Sequence, residues 1–384
     1  MLIIQILLAL LIGYATYMFI LVLSGLFYRP KAQGDFELPR IKILLPAYQP
    51  DQVFIKVLKQ LKEVAKNQPV DVFILFQYAD KKYCELADVL GFDYEIKAFD
   101  HLGGNSYQHA LKYLAKHHLS EGTCDYVMIL DKDNLMAVDF FRELKKIDLR
   151  CFDLVQSVRR PLEVGKGLQV FDALSERLND LMLRAGKCFW GGVAELSGSA
   201  ALIKTDIFKK CIEQLDPKAP GFDKNFMVNL LTGYQSLKSM FSERLVVFEE
   251  KTASVQNYDS QRLRWFGEQY YNAFYHAGKL LMSALRGNFK CLDYWISLIR
   301  PPRIVLFVVS FLLAAVDLWD YQVGVQSIAF VLNSITFLII SFPYLDQIKA
   351  SDILRGGWHI FRSNVVSSMT SLNKKYLGTF IHTR

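Results

Sequence analysis

The stretch "VMILDKDN", Val127–Asn134, carries the reading of the fold: four apolar residues followed at once by Asp131, Lys132, Asp133 and Asn134. A short unbroken apolar run marks a strand buried on both faces, as the strands of parallel sheets are. Ligands of open α/β sheets sit beyond the carboxyl ends of the strands, so the two carboxylates fall where a substrate would lie. At that spacing they suit a hard divalent cation that keeps several waters and takes phosphate oxygens as its remaining ligands, with a nucleotide diphosphate as the natural guest. The competing reading is a polar strand end with an Asp or Asn capping the next helix. If the backbone stays extended, Lys132 turns to the opposite side from its neighbours, toward the sheet or solvent.

Outward from this strand the same rhythm repeats. "IKILLPAY" reads as a strand, "DQVFIKVLKQLKEVAKN" as a helix with Phe54, Val57, Leu58, Leu61 and Val64 on one face, and "VDVFILFQY" as a strand again. A helix over Lys82–Leu90, a strand "DYEIKAF" and a helix "SYQHALKYLAKHH" follow. Alternation from Ile41 to about Phe208 predicts an α/β domain of right-handed βαβ units around a mostly parallel sheet. Asp80 follows its strand as directly as Asp131 and Asp133 follow theirs, so all three share one rim.

The flanks read as membrane segments. "MLIIQILLALLIGYATYMFILVLSGLF" has no charge over a bilayer's worth of helix, and with no basic start or cleavage site it reads as a retained anchor. "IVLFVVSFLLAAVDLW" from Ile304, short enough to be tilted or re-entrant, and "VGVQSIAFVLNSITFLIISFPY" to Tyr344 are two further spans, joined by a turn with Asp317 and Asp320. Arg29 and Lys31, Arg300 and Arg303, and Lys349 and Arg355 flank the inner edges, which places the central region and the C-terminus on the cytoplasmic side of the inner membrane. The implied organisation is an anchor over 1–28, a catalytic domain over 38–256, interfacial helices over 257–302, two spans over 303–345 and a cytoplasmic segment over 346–384. The net charge of +7 fits a domain held against anionic lipid. No concentrated basic stripe interleaved with aromatics suggests nucleic acid. Six scattered cysteines form no CxxC pair, hence no disulfide framework or zinc site.

Downstream, "DSQRLRWFGEQYY" sets Gln261, Arg264 and Trp265 at i, i+3 and i+4 on one helical face, with Arg262 between. An arginine beside an indole can neutralise a pyrophosphate while the ring walls a sugar or nucleoside. The plainer alternative is an amphipathic helix with a buried Trp and snorkelling arginines.

The anchor, "LLPAY", "YAD", "LDKDN", "GSAALI", "GFDKNFMVNLLTGY" and "QRLRW", in that order, resemble a membrane-integrated family 2 glycosyltransferase of the GT-A fold, the group of cellulose, chitin and hyaluronan synthases and ceramide glucosyltransferase. The resemblance covers Ile41 to the second span. It implies that Asp80 contacts the base or ribose of the donor nucleotide beside Pro46, Ala47 and Tyr48. It further implies that Asp131 and Asp133 hold Mg²⁺ or Mn²⁺, Asp133 the more directly, and that Gly198 and Ser199 approach the donor sugar or acceptor. Asp223 corresponds to the catalytic base of an inverting, in-line displacement. Gln261, Arg264 and Trp265 correspond to the QxxRW motif, the arginine steadying the leaving diphosphate.

Each role has a competitor: Asp223 as a helix N-cap, Asp80 as a turn or cap, and Gly198–Ser199 as a tight entry into a strand. The chain departs from the pattern at Phe222, where an acidic residue often precedes the base, and at Asn105, where a basic one is frequent. A catalytically impaired homologue is therefore an alternative. A haloacid-dehalogenase phosphatase is another, since its motif also opens with DxD. The donor is expected to be a nucleotide-diphosphate sugar, foremost a UDP-sugar, and the acceptor a lipid or lipid-linked glycan among membrane lipids. Three spans make a one-chain channel hard to build, so polymer elongation would call for a homo-oligomer or partners.

Overall fold

The computed structural model describes residues 2–30, 34–104, 106–120, 122–163, 167–251, 254–319, 324–344 and 350–373. Lys31, Asn105, Asp320, Lys349 and the closing "FIHTR" lie outside them, and of Arg355 only the backbone is described.

Among the described residues eight strands form one sheet: β1 (Ile41–Tyr48), β2 (Val70–Gln77), β3 (Asp93–Ile96), β4 (Tyr126–Ile129), β5 (Leu135–Met136), β6 (Leu154–Pro161), β7 (Ala201–Lys204) and β8 (Ser239–Glu249), in the order β3-β2-β1-β4-β7-β6-β8-β5. Alternate side chains feed two cores. On β1, Ile43 and Leu45 pack with Phe54, Leu58 and Leu61 of the Gln52–Ala65 helix, and Leu44 packs with Leu111 and Leu114 of the Ser106–His118 helix. Met128 and Val127 of β4 divide in the same way. A strand covered on both faces must be apolar at every position, which is why β4 shows no alternation in sequence.

β1 to β4 are parallel, but β7 runs antiparallel between β4 and β6. The chain leaves the carboxyl end of β6, runs through the Leu168–Phe189 helices and returns to the carboxyl end of β4, so the strand it feeds runs backward. The sheet is thus mixed, mostly parallel, and the return loop brings Ser197–Ser199 beside Asp131.

Among the described residues two helices are long and apolar enough to cross a membrane, Gln5–Phe27 and Ser327–Tyr344. Phe289–Leu298 and Arg303–Asp317 meet that test only together, bent by 76°. The first helix crosses the π-helical stretch Asp180–Gly186 backbone to backbone. A Cβ on Gly25 would strike the Leu181 carbonyl, and one on Gly186 the Leu21 carbonyl, so only glycine permits the approach. The C-terminal Ala350–Ser371 helix lies along the Val255–Tyr275 helix, with the hydroxyls of Tyr270 and Ser368 hydrogen-bonded at 2.9 Å.

Candidate functional site

A cavity of about 1620 Å³ opens at the carboxyl rim of the sheet and continues among the apolar helices. At the sheet end lie Pro46, Tyr48, Asp131, Asp133 and Gly198. The β4 ladder stops at Leu130, whose N–H donates to the Leu44 carbonyl, and the chain then turns, the Asn134 N–H donating to the Asp131 carbonyl at 3.1 Å. The turn ends the extended alternation expected of Lys132. Its ammonium lines the cavity and donates to the Gln49 carbonyl at 2.7 Å, rather than pointing away.

Asp131 is fixed from both sides. Its N–H donates to Ser199 Oγ at 2.9 Å, and the Tyr107 hydroxyl donates to its Oδ1 at 2.9 Å. Burial, followed by the charge of Asp133, pushes the Asp131 carboxyl up to about 7, against the pull of Tyr107 and Arg159. Burial and then Glu249 raise Asp133 as well, whose Oδ1 accepts from Asn134 at 3.1 Å. Two buried carboxylates that resist ionisation fit a hard divalent cation, which supplies the missing positive charge. Among the described residues no group of three His, Cys, Asp or Glu is placed to hold a metal. The fold therefore offers this pair and leaves further positions to other oxygens.

In the middle of the cavity, Asp223 stands in the first turn of the Phe222–Gly233 helix without capping it, so the N-cap alternative fails. Lys224 reaches both its carboxylate oxygens at 3.2 Å and Glu268 at 3.5 Å. Burial works against the Lys224 charge, but Asp223 and Glu268 outweigh it and raise its pKa. Burial also raises Glu268, with Lys224 and Arg264 opposing. Gln261, Arg264 and Trp265 line the cavity from one helix face. Gln261 Oε1 and Arg264 Nε are buried without a hydrogen-bond partner, the latter facing Glu268 Oε1 at 3.8 Å. Arg262 lies between the Tyr258 and Trp265 rings, 4.5 Å from each centroid, and donates to Asp172.

Not every expected residue meets here. Asp80 is exposed, precedes the Lys81–Leu90 helix without a side-chain cap bond, pairs with Lys82 at 3.6 Å and does not line the cavity. Its strand neighbourhood connects through Tyr78, whose ring meets Tyr48 edge-on at 5.6 Å. Ala47 is buried in the core beneath Pro46 and Tyr48, and Ser199 acts through the Asp131 backbone rather than as part of the wall. Sequence reasoning missed Tyr107, Arg159, Lys224, Glu249 and Glu268. Of these only Lys224 had a local signal, standing next to Asp223 in "GFDKN".

The model of the family described as "Glycosyltransferase like family 2" matches residues 39–268. The chain belongs to this family, which removes the phosphatase alternative. Among solved structures it is similar to the mannosyltransferase PcManGT of Pyrobaculum calidifontis in complex with GDP-Man and Mn²⁺, at 15% identity and a TM-score of 0.58, over 96% of this chain and 98% of that one. It also aligns with glucosyl-3-phosphoglycerate synthase of Mycobacterium tuberculosis bound to Mn²⁺ and UDP-glucose, at 16% identity and a TM-score of 0.41, over 61% and 79% of the two chains. No curated protein matches the sequence. The first likeness extends over nearly all of both chains and makes the fold GT-A with its appended helices.

Proposed function

We infer that the protein is an inverting transferase that moves a sugar from a nucleotide-diphosphate sugar, foremost a UDP-sugar, to a lipid or lipid-linked acceptor at the cytoplasmic face of the membrane. One observation carries the reading: a single cavity runs from the Asp131 and Asp133 carboxylates, past Asp223 and Trp265, to Phe307, Phe337 and Ile340 of the apolar hairpin. Water-soluble donor and lipid acceptor can thus meet without either leaving its own medium.

Asp131 and Asp133 are the groups that would hold Mg²⁺ or Mn²⁺, which when bound offsets the charge of the donor diphosphate. Arg264 supports the leaving diphosphate as negative charge builds on it, and Trp265 beside it walls the sugar. Asp223, positioned by Lys224, accepts the proton of an attacking hydroxyl from the face opposite the leaving group, so one displacement inverts the anomeric carbon. Pro46 and Tyr48 shape the nucleotide pocket, with Asp80 at its outer lip. Arg29, Arg300 and Arg303 at the inner edges of the apolar helices support the cytoplasmic orientation.

The test is to incubate purified protein in native lipid with a panel of nucleotide sugars and Mn²⁺, and to resolve products by mass. A single glycosylated lipid is expected. A ladder would replace the reading with polymer elongation, and no release of nucleoside diphosphate from any donor would leave the impaired homologue.

A further inference from the structure

At the membrane end of the cavity stand two arginines that the transfer chemistry above does not use. Arg300 ends the bend after the Phe289–Leu298 helix, and Arg303 opens the Arg303–Trp319 helix; both line the cavity. Each is oriented by neutral groups. Arg300 donates to the Ser297 carbonyl, and its own carbonyl accepts from Gln269 at 2.9 Å. Arg303 donates through Nη2 to Asn179 Oδ1, while its Nη1 is buried with no partner. Among the described residues neither makes an ion pair. The carboxylate whose field reaches both is Glu195, and Lys187 occupies it at 2.8 Å. The hydroxyl of Tyr14, within the field of both guanidiniums, is buried and also lacks a partner.

Two adjacent cations sunk in a cavity repel each other and lose hydration, a cost that a bound anion offsets. Guanidiniums present their donors as planar forks that match phosphate oxygens. From Arg303 the cavity lining continues as Ile304, Phe307, Phe337 and Ile340, with Leu174 and Met18, which pack in one apolar cluster with Phe337 and Ile340. Arg300 and Arg303 line the cavity from the bend between two apolar helices, whereas Asp131 and Asp133 line it from the end of β4.

We propose that Arg300 and Arg303 form a docking site for the phosphate of a phosphorylated lipid acceptor, whose chain lies along the apolar wall and whose sugar-accepting end reaches toward Asp223. The proposal rests on the transferase reading for its biological sense but not for its test. Full-length protein in phosphatidylcholine nanodiscs is titrated with geranylgeranyl phosphate, geranylgeraniol and inorganic phosphate, and nucleotide binding with Mn²⁺ is measured alongside. The phosphorylated lipid is expected to bind at least tenfold tighter than the alcohol. Arg303→Gln should weaken it about tenfold or more, Arg303→Lys should weaken it less, and nucleotide binding should stay unchanged, which also reports an intact fold. Asp133→Ala should leave lipid-phosphate binding as it is.

Equal binding of the alcohol overturns the proposal. So does loss of nucleotide binding in Arg303→Gln at an unchanged melting temperature, which would assign the arginines to the donor, or displacement of the lipid by inorganic phosphate at equal concentration, which would make free phosphate the ligand. Transfer to a neutral lipid without binding of the phosphorylated one sinks this site and spares the transferase. Phosphate-selective lipid binding with no turnover of any donor does the reverse.

Discussion

The two ends of the cavity carry opposite surplus charge, and what lies between them is balanced. At the sheet rim Asp131 and Asp133 are buried carboxylates held above their usual range, whereas at the apolar-helix rim Arg300 and Arg303 are cations with no carboxylate partner among the described residues. Between them Arg159 pairs with Glu176 at 3.5 Å and Glu249 at 3.1 Å, Arg184 pairs with Glu176 and Asp180, and Lys224 bridges Asp223 and Glu268. A protein interior tolerates paired ions far better than single ones, so the unpaired charge concentrates where something from outside is to complete it. The rims differ in construction as well. The acidic one sits on a strand end and a tight turn, where Tyr107 and the Asn134 side chain hold the carboxylates; the basic one sits on a bend between two helices.

The largest expected effect is at the acidic rim. Asp133→Ala should lower turnover by about 10³ and raise the Mn²⁺ concentration needed for half activity, measured by nucleoside diphosphate release. Unchanged activity would detach the acidic end from catalysis altogether. Next is the middle: if Asp223 is the proton acceptor, Asp223→Asn, which keeps the shape, should lower kcat about 10², with donor binding preserved. If Asp223→Asn lowered donor binding and left kcat intact, Asp223 would belong to the nucleotide pocket instead.

Features of the site that are local in the chain were legible in its sequence, and those made by strand order were not. The apolar run stopping at Asp131 and the i, i+3, i+4 set of Gln261, Arg264 and Trp265 each declare themselves within a dozen residues. Arg159 and Glu249 reach the carboxylates only because β6 and β8 pair in parallel, with a register shift between Ser157 and Val158, while β5 pairs antiparallel with β8, Leu135 opposite Phe248. Nothing near either residue marks that meeting. The antiparallel β7 was hidden for a related reason: a helical excursion between strands looks like a βαβ crossover whether it returns to the far end of the sheet or to the near one. Arg300 and Arg303 were visible as charges flanking a span, but their inward course depends on the 76° bend.

A smaller effect sharpens the acidic end. Because the folded Asp131 pKa, about 7, stands above the unfolded value of roughly 3.9, the fold holds its proton more tightly than the unfolded chain does. The metal-free protein should therefore lose stability as pH rises from about 4 to about 7, by up to roughly 1.4 kcal/mol per pH unit, and not below that window. Asp131→Asn should flatten the dependence, and millimolar Mn²⁺ should restore the wild-type melting temperature above pH 7. Thermal unfolding in detergent across this range checks it. Parallel curves for wild type and variant would mean that the carboxylate is already compensated.

The smallest effect expected concerns Asp80, the residue on which resemblance and geometry diverge. It follows β2 on the same rim as Asp131, yet its exposed side chain stands outside the cavity wall and pairs only loosely with Lys82. A group so placed can touch the far edge of a bound nucleotide and nothing that changes in the transition state. Interactions of that kind bind ground and transition states equally, so Asp80→Ala should raise donor KM by about five- to tenfold, the worth of one hydrogen bond, and leave kcat unaltered. A fall in kcat would mean that the base pocket closes over the donor and carries Asp80 inward with it. An unchanged KM would leave Asp80 a surface residue at a helix start, and the nucleotide would then be gripped by the buried pair and Arg264 alone.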